Sequence, residues 1–99
     1  MPKESATQRA ILDYLAYRKH FCYRQNTGAF RDERGHLYRY GAVGSPDIVC
    51  VIGGIYTGIE VKSPTGKQSP GQQEFQANLE RAGGKYILAR SLDDVTSVL

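Results

Sequence analysis

The dipeptide Gly53-Gly54, set between apolar runs at 48–52 and 55–59, constrains this chain more than any other feature. Two glycines between such segments call for a two-residue primed turn, whose twist matches that of the strands it joins. Ile52 then pairs with Ile55, and every pair further out keeps the same index sum, so Asp47 falls opposite Glu60. Lys62 shares their face, because residues i and i+2 of a strand point the same way. Carboxylates placed opposite each other, with Cβ atoms roughly 5 Å apart, repel. A fold that keeps them there is expected to hold a cation between them, and a metal ion is the expected cation. A three-residue loop would slip the register by one and turn Asp47 away from Glu60.

In this register one face of the ribbon carries Ile48, Cys50 and Ile52 against Ile55, Thr57 and Ile59. The other carries Asp47, Val49 and Val51 against Tyr56, Gly58 and Glu60. Both faces keep apolar contacts, which predicts a ribbon at the centre of a sheet covered by helices on both sides. Gly58 weakens strand packing, so its presence predicts room kept beside Glu60 for a ligand or another backbone.

Around this ribbon, residues 3–20 read as an amphipathic helix with Ile11, Leu12 and Leu15 on one face, and with Tyr14 and Tyr17 as packing residues. Residues 21–26 and 37–40 read as short β-prone runs forming an early hairpin with a mobile tip. Gly41 to Pro46 is a glycine-rich turn, and Pro64 and Gly66 mark a loop after Lys62. A second helix starts at the N-cap Ser69 with Pro70 at its first position and Gln72 placed for a capping box; Phe75 and Leu79 face inward, and Gly83-Gly84 end it. Residues 86–89 read as a last strand, and Ser91 as the cap of a short C-terminal helix. The order is α-β-β-β-α-β-α, and a right-handed crossover should set the last strand parallel to the Glu60 strand.

The 99 residues suffice for one domain, 1–99, with a thin core. Thirteen Lys and Arg against ten Asp and Glu give a net charge of +3, which favours anionic partners. Cys22 and Cys50 lack metal-ligand spacing and read as reduced core thiols, and His20 and His36 lack zinc spacing. No apolar run reaches membrane-spanning length and no signal-peptide core is visible, so a soluble, cytoplasmic protein without membrane association is expected.

Hard-oxygen ligands suit Mg²⁺ or Mn²⁺, and Mg²⁺ takes one or two carboxylates beside waters and phosphate oxygens. Asp47 and Glu60 meet that need, and the carbonyl of Val61 is a third candidate ligand. Lys62 is placed to orient an attacking water and to offset charge gathering on a phosphorane. As a covalent nucleophile Lys62 fits less well, since an amine beside two carboxylates stays protonated. Arg31, Arg34 and Arg39, interleaved with Phe30, Tyr38 and Tyr40, are candidates for backbone contacts and base stacking along DNA; a solvated hairpin is the plainer reading. Lys67, in a glycine-containing loop beside the site, is a candidate phosphate contact.

Gly44-Ser45-Pro46-Asp47 followed by Glu60-Val61-Lys62 resembles the PD…(D/E)XK signature of restriction-endonuclease-like nucleases. Added to it are Glu4 and Gln8 on the first helix, Asn26 and Gly28 after the first strand, and Pro64-Thr65-Gly66-Lys67 with Ser69 and Gln72 after the third. Together, and over nearly the whole chain, these resemble the virus-type replication-repair nuclease (VRR-NUC) domain. The resemblance implies an α/β, restriction-endonuclease-like α-β-β-β-α-β core, a mixed central sheet flanked by helices, and divalent-metal catalysis at Asp47, Glu60 and Lys62. Glu4 would assist from the first helix, Gln72 would line the site from the second, and Asn26 would join the DNA-binding residues. Plainer roles exist for two of these: Glu4 suits the positive end of its helix, and Gln72 is accounted for by the capping box alone. Small stand-alone relatives imply branched DNA, such as four-way junctions, and a homodimer.

The expectation is therefore a metal-dependent DNA endonuclease. Its rivals are a catalytically silent nucleic-acid-binding module of the same fold and a structural assembly subunit. A binding module gains nothing from two carboxylates near phosphate.

Overall fold

The computed structural model describes residues 2–25 and 28–99, leaving out the side chains of residues 2, 3, 28–30, 39 and 40. Its elements are α1 (Pro2–Tyr17), β1 (Phe21–Arg24), β2 (Gly28–Arg31), β3 (Leu37–Tyr40), β4 (Ile48–Ile52), β5 (Ile55–Val61), α2 (Pro70–Arg81), β6 (Lys85–Ala89) and α3 (Asp93–Thr96). Four strands form a mixed sheet in the order β1-β4-β5-β6, and β2 and β3 form a separate two-stranded ribbon. β1 and β5 run antiparallel to β4, and β6 runs parallel to β5 as the crossover through α2 requires.

The central hairpin has the register read from the glycines. Gly53 and Gly54 both take positive φ, 61° and 81°, as a type I′ turn demands. Ile52 pairs with Ile55 and Ile48 with Ile59, so one step beyond the ladder Asp47 lies across from Glu60. One face of the sheet packs on α1 and α3: Ile11 and Leu15 from α1 and Val95 from α3 are buried with Ile48, Cys50, Ile59, Val61 and Ala89. The opposite face, which carries Glu60, meets α2 through Gln72. The α/β restriction-endonuclease-like arrangement is thus present, with α1, β1, β4, β5, α2 and β6 as its core.

Several local expectations are corrected. The first strand does not pair with residues 37–40; Phe21 to Arg24 pairs instead with Val51 to Ile48, while 37–40 pairs with Gly28–Arg31. Edge pairing to an apolar central strand sets the partly buried Cys22 against the buried Cys50, a contact that the exposed ribbon cannot offer. Both cysteines are free, and burial pushes the Cys50 thiol up to about 12. Helix α1 ends at Tyr17, not His20: Lys19 adopts φ 60° and His20 N–H donates to the Leu15 carbonyl, closing the last turn. Tyr17 is 82% exposed and is not a packing residue, whereas Tyr14 does pack on the core. Ser91 does not cap α3 with its side chain; the Asp94 carboxylate reaches back to the Arg90 N–H at 2.8 Å. Among the described residues no helix is long and apolar enough to cross a membrane.

Candidate metal-dependent active site

Three elements converge where β4 begins and β5 ends. The backbone of Asp47 is held by β1, since the Gln25 N–H donates to the Asp47 carbonyl at 2.7 Å and so extends the β1–β4 ladder by one residue. Its side chain is held by β5: Oδ2 accepts the Val61 N–H at 2.8 Å. The Asp47 carboxylate also lies within hydrogen-bonding reach of the Glu60 carboxyl. A strand residue directs its N–H and C=O towards the same neighbour, so the Val61 carbonyl lies on the Asp47 side as well.

Two glycines allow this approach. A Cβ on Gly58 would come within 2.7 Å of Pro46 Cγ, so the room expected for a ligand or another backbone is filled by the ring of the proline that precedes Asp47. Gly44 takes φ 79°, and a Cβ there would overlap the Gly71 carbonyl in the first turn of α2. The loop entering β4 and the helix bearing Gln72 can therefore touch only through glycine. Gly44→Ala should destabilise the fold by about 2–3 kcal/mol, from positive φ and lost docking together. It should also weaken any function that needs Asp47 and Gln72 in register; a melt and an activity assay on one preparation check both.

Gln72 serves two roles with its two amide atoms. Its Oε1 accepts the Ser69 N–H at 2.8 Å while Ser69 Oγ accepts the Gln72 N–H at 3.1 Å, completing the capping box. Its Nε2 donates to Glu60 Oε2 at 3.0 Å. The helix cap thus aims a donor at the carboxylate. Lys62 Nζ lies 3.8 Å from the same Oε2.

Glu60 is only 4% exposed, and its other oxygen, Oε1, is buried without a hydrogen-bond partner. Burial, then the Asp47 carboxylate, push its pKa up to about 8; the Lys62 ammonium pulls the other way, and Glu4 adds a smaller upward push. An unsatisfied buried carboxylate oxygen is costly, and two events relieve it: protonation, or a cation. Asp47 Oδ1, Glu60 Oε1 and the Val61 carbonyl are the candidate atoms to hold one. This donor set of hard oxygens fits Mg²⁺ or Mn²⁺ and suits no soft metal. Among the described residues no three His, Cys, Asp or Glu side chains are grouped to hold a metal, so Glu4 supplies nearby charge without completing a three-carboxylate set.

The remaining candidates are scattered. Lys67 is exposed in the loop after Lys62. Arg31 donates to the Gly35 carbonyl at 2.9 Å and so braces the turn between β2 and β3. Arg34 is exposed on that turn. Asn26 and the side chain of Arg39 lie outside the described residues.

Sequence reasoning missed Arg90. Its Nη1 donates to the carbonyls of Ser63 and Gly66, both at 2.7 Å, pinning the loop that carries Lys67. With Lys62, Ser63, Pro64, Ala6 and Thr7 it lines a cavity of about 310 Å³. The parallel pairing of Ala89 with Val61 sets Arg90 beside Lys62; the crossover rule, carried one residue past the strand, was the available signal. Tyr86 was also missed: it pairs with Gly58, receives a hydrogen bond from Gln68 Nε2 at 3.2 Å, and has its phenol pushed up to about 12, mainly by burial.

The sequence profile of the VRR-NUC domain matches residues 3–93. Among solved structures, one described as "VRR_NUC domain" superposes with TM-score 0.71 at 17% identity, covering 97% of this chain and 92% of the other. A second, "VRR_NUC domain protein", gives TM-score 0.63 at 18% identity, covering 97% and 84%. No curated protein matches.

Proposed function

This chain belongs to the VRR-NUC domain family, and on that premise we propose that it is a divalent-metal-dependent DNA endonuclease acting at Asp47, Glu60 and Lys62. The observation that carries the reading is the buried, unpartnered Oε1 of Glu60 beside a second carboxylate. That arrangement destabilises the fold unless a cation or proton completes it.

A bound Mg²⁺ or Mn²⁺ would polarise the phosphodiester and acidify the attacking water. Asp47, Glu60 and the Val61 carbonyl would hold it. Gln72 keeps Glu60 in place by its hydrogen bond to Oε2, leaving Oε1 available. Lys62, 17% exposed at the side chain, sets a positive charge where the phosphorane gathers negative charge. Glu4 tunes the charge at Glu60 from α1. Lys67, Arg31, Arg34, Arg39 and Asn26 would follow the DNA backbone.

The substrate we propose is branched DNA, cut by a homodimer. A domain this small has little surface with which to grip a duplex, and a two-fold pair of sites suits paired cuts across a four-way junction. Exposed Tyr17 and Phe21, and Leu37 on the ribbon, are candidates for such an interface. Linear, flapped and four-way DNA incubated with and without Mg²⁺ or Mn²⁺ tests the activity, and light scattering at micromolar concentration tests assembly. Metal-dependent cutting, preferential on junctions, by a species of twice the chain mass is expected. Equal cutting of all substrates by a monomer would remove the junction and dimer readings; no cutting at all would remove the nuclease.

A further inference from the structure

We propose that Arg9 and Arg24 form a second anion site, a notch that takes a backbone phosphate of the nucleic acid strand near the scissile one. This deepens the nuclease reading and rests on DNA being the ligand. The two arginines come from different elements, α1 and β1, yet line one cavity of about 190 Å³ together with Ser5, Gln8 and Leu12. Among the described residues, neither has a carboxylate within 4.0 Å or a side-chain hydrogen bond. Asp13, four residues from Arg9 and able by spacing to pair with it, does not.

Four other arginines are engaged within the fold, whereas Arg34 is exposed on the turn between β2 and β3. Arg18 bonds Tyr14, Arg31 bonds Gly35, Arg81 bonds Asn78, and Arg90 bonds the Ser63 loop. Both arginines are exposed at the notch, and an anion there would gain charge-assisted hydrogen bonds from each. The surroundings are of one sign: from residue 14 to residue 31 the chain carries four Lys and Arg and no carboxylate. Ser5 and Gln8 add a hydroxyl and an amide, both capable of donating to phosphate oxygens.

Position ties the notch to the site. Arg24 pairs with Ile48, the residue after Asp47, and antiparallel partners stand roughly 5 Å apart at Cα. The notch is thus one strand over and one residue along from a candidate metal ligand. Arg24 shares the α1-facing side of the sheet with Ile48, and the notch meets the site through α1, where Ser5 follows Glu4, whose charge reaches Glu60. Arginine suits this role through its planar fork of donors.

Fluorescence anisotropy of a labelled four-way junction in EDTA, across a salt series, tests the notch without requiring cleavage. Arg9→Gln/Arg24→Gln should bind about tenfold more weakly at low salt, and the slope of log K against log salt should become shallower by about 1. Arg81→Gln/Lys85→Gln removes the same charge from the end of α2 and the start of β6 and should change affinity less than twofold. Either single substitution should shift the slope in the same direction, which decides the matter should the pair fold poorly. Binding equal to wild type, or equal losses in the two pairs, overturns the notch even if the protein cuts DNA. Wild type that binds DNA but never cuts it, with the arginine effect present, sustains the notch and overturns the nuclease. Wild type that binds no DNA overturns both.

Discussion

The melting temperature of the metal-free protein should fall as pH rises from about 5 to about 8, and Mg²⁺ or Mn²⁺ should reverse the fall. Glu60 holds its proton to about 8 in the fold, against 4.5 as an ordinary carboxyl. Below 4.5 both folded and unfolded chains are protonated there, and the group costs the fold least. Between 4.5 and 8 the folded state binds more proton than the unfolded, so stability declines with rising pH. The penalty is on the order of a few kcal/mol, or about 10 °C or more for a domain this size. Glu60→Gln removes the titration while keeping the shape and should melt higher than wild type at pH 8. A wild-type melting profile that tracks Glu60→Gln across this range would show that the carboxylate is not strained.

A second large effect separates holding the metal from using it. Lys62→Met should lower cleavage by about 10²–10³-fold, the usual loss when one electrostatic stabiliser of a transition state is removed. Mn²⁺ affinity, followed by calorimetry, should stay the same or rise, because the ammonium competes with a cation for Glu60 Oε2. Loss of cleavage only through loss of metal would move Lys62 from chemistry to scaffolding.

The central register was legible because Gly53-Gly54 admits few turns, and one turn fixes every pair outward to Asp47 and Glu60. Helix α2 was legible for the same reason: Ser69, Pro70, Gln72 and Gly83 each carry a local backbone demand. The pairing of β1 was not. Its partner lies more than twenty residues away, nothing local distinguishes it from the run at 37–40, and the packing of Cys22 on the buried Cys50 decides the outcome. For Gln72 the cap was legible from Ser69 and the place at the site only from the family resemblance; that one amide serves both at once needed the proximity of Glu60. Gly58 shows the converse: the unusual residue was visible, but its neighbour Pro46 was not.

Asp47 and Glu60 are expected to act as one metal site in phosphodiester cleavage. The most direct measurement is the initial rate of labelled-DNA cleavage at saturating Mn²⁺ for wild type, Asp47→Asn, Glu60→Gln and the double variant, purified identically. Groups that work as a unit are non-additive, so each single substitution should remove essentially all metal-dependent cleavage and the double should remove no more. Cleavage that survives either single substitution, or losses that multiply in the double, would contradict a shared site.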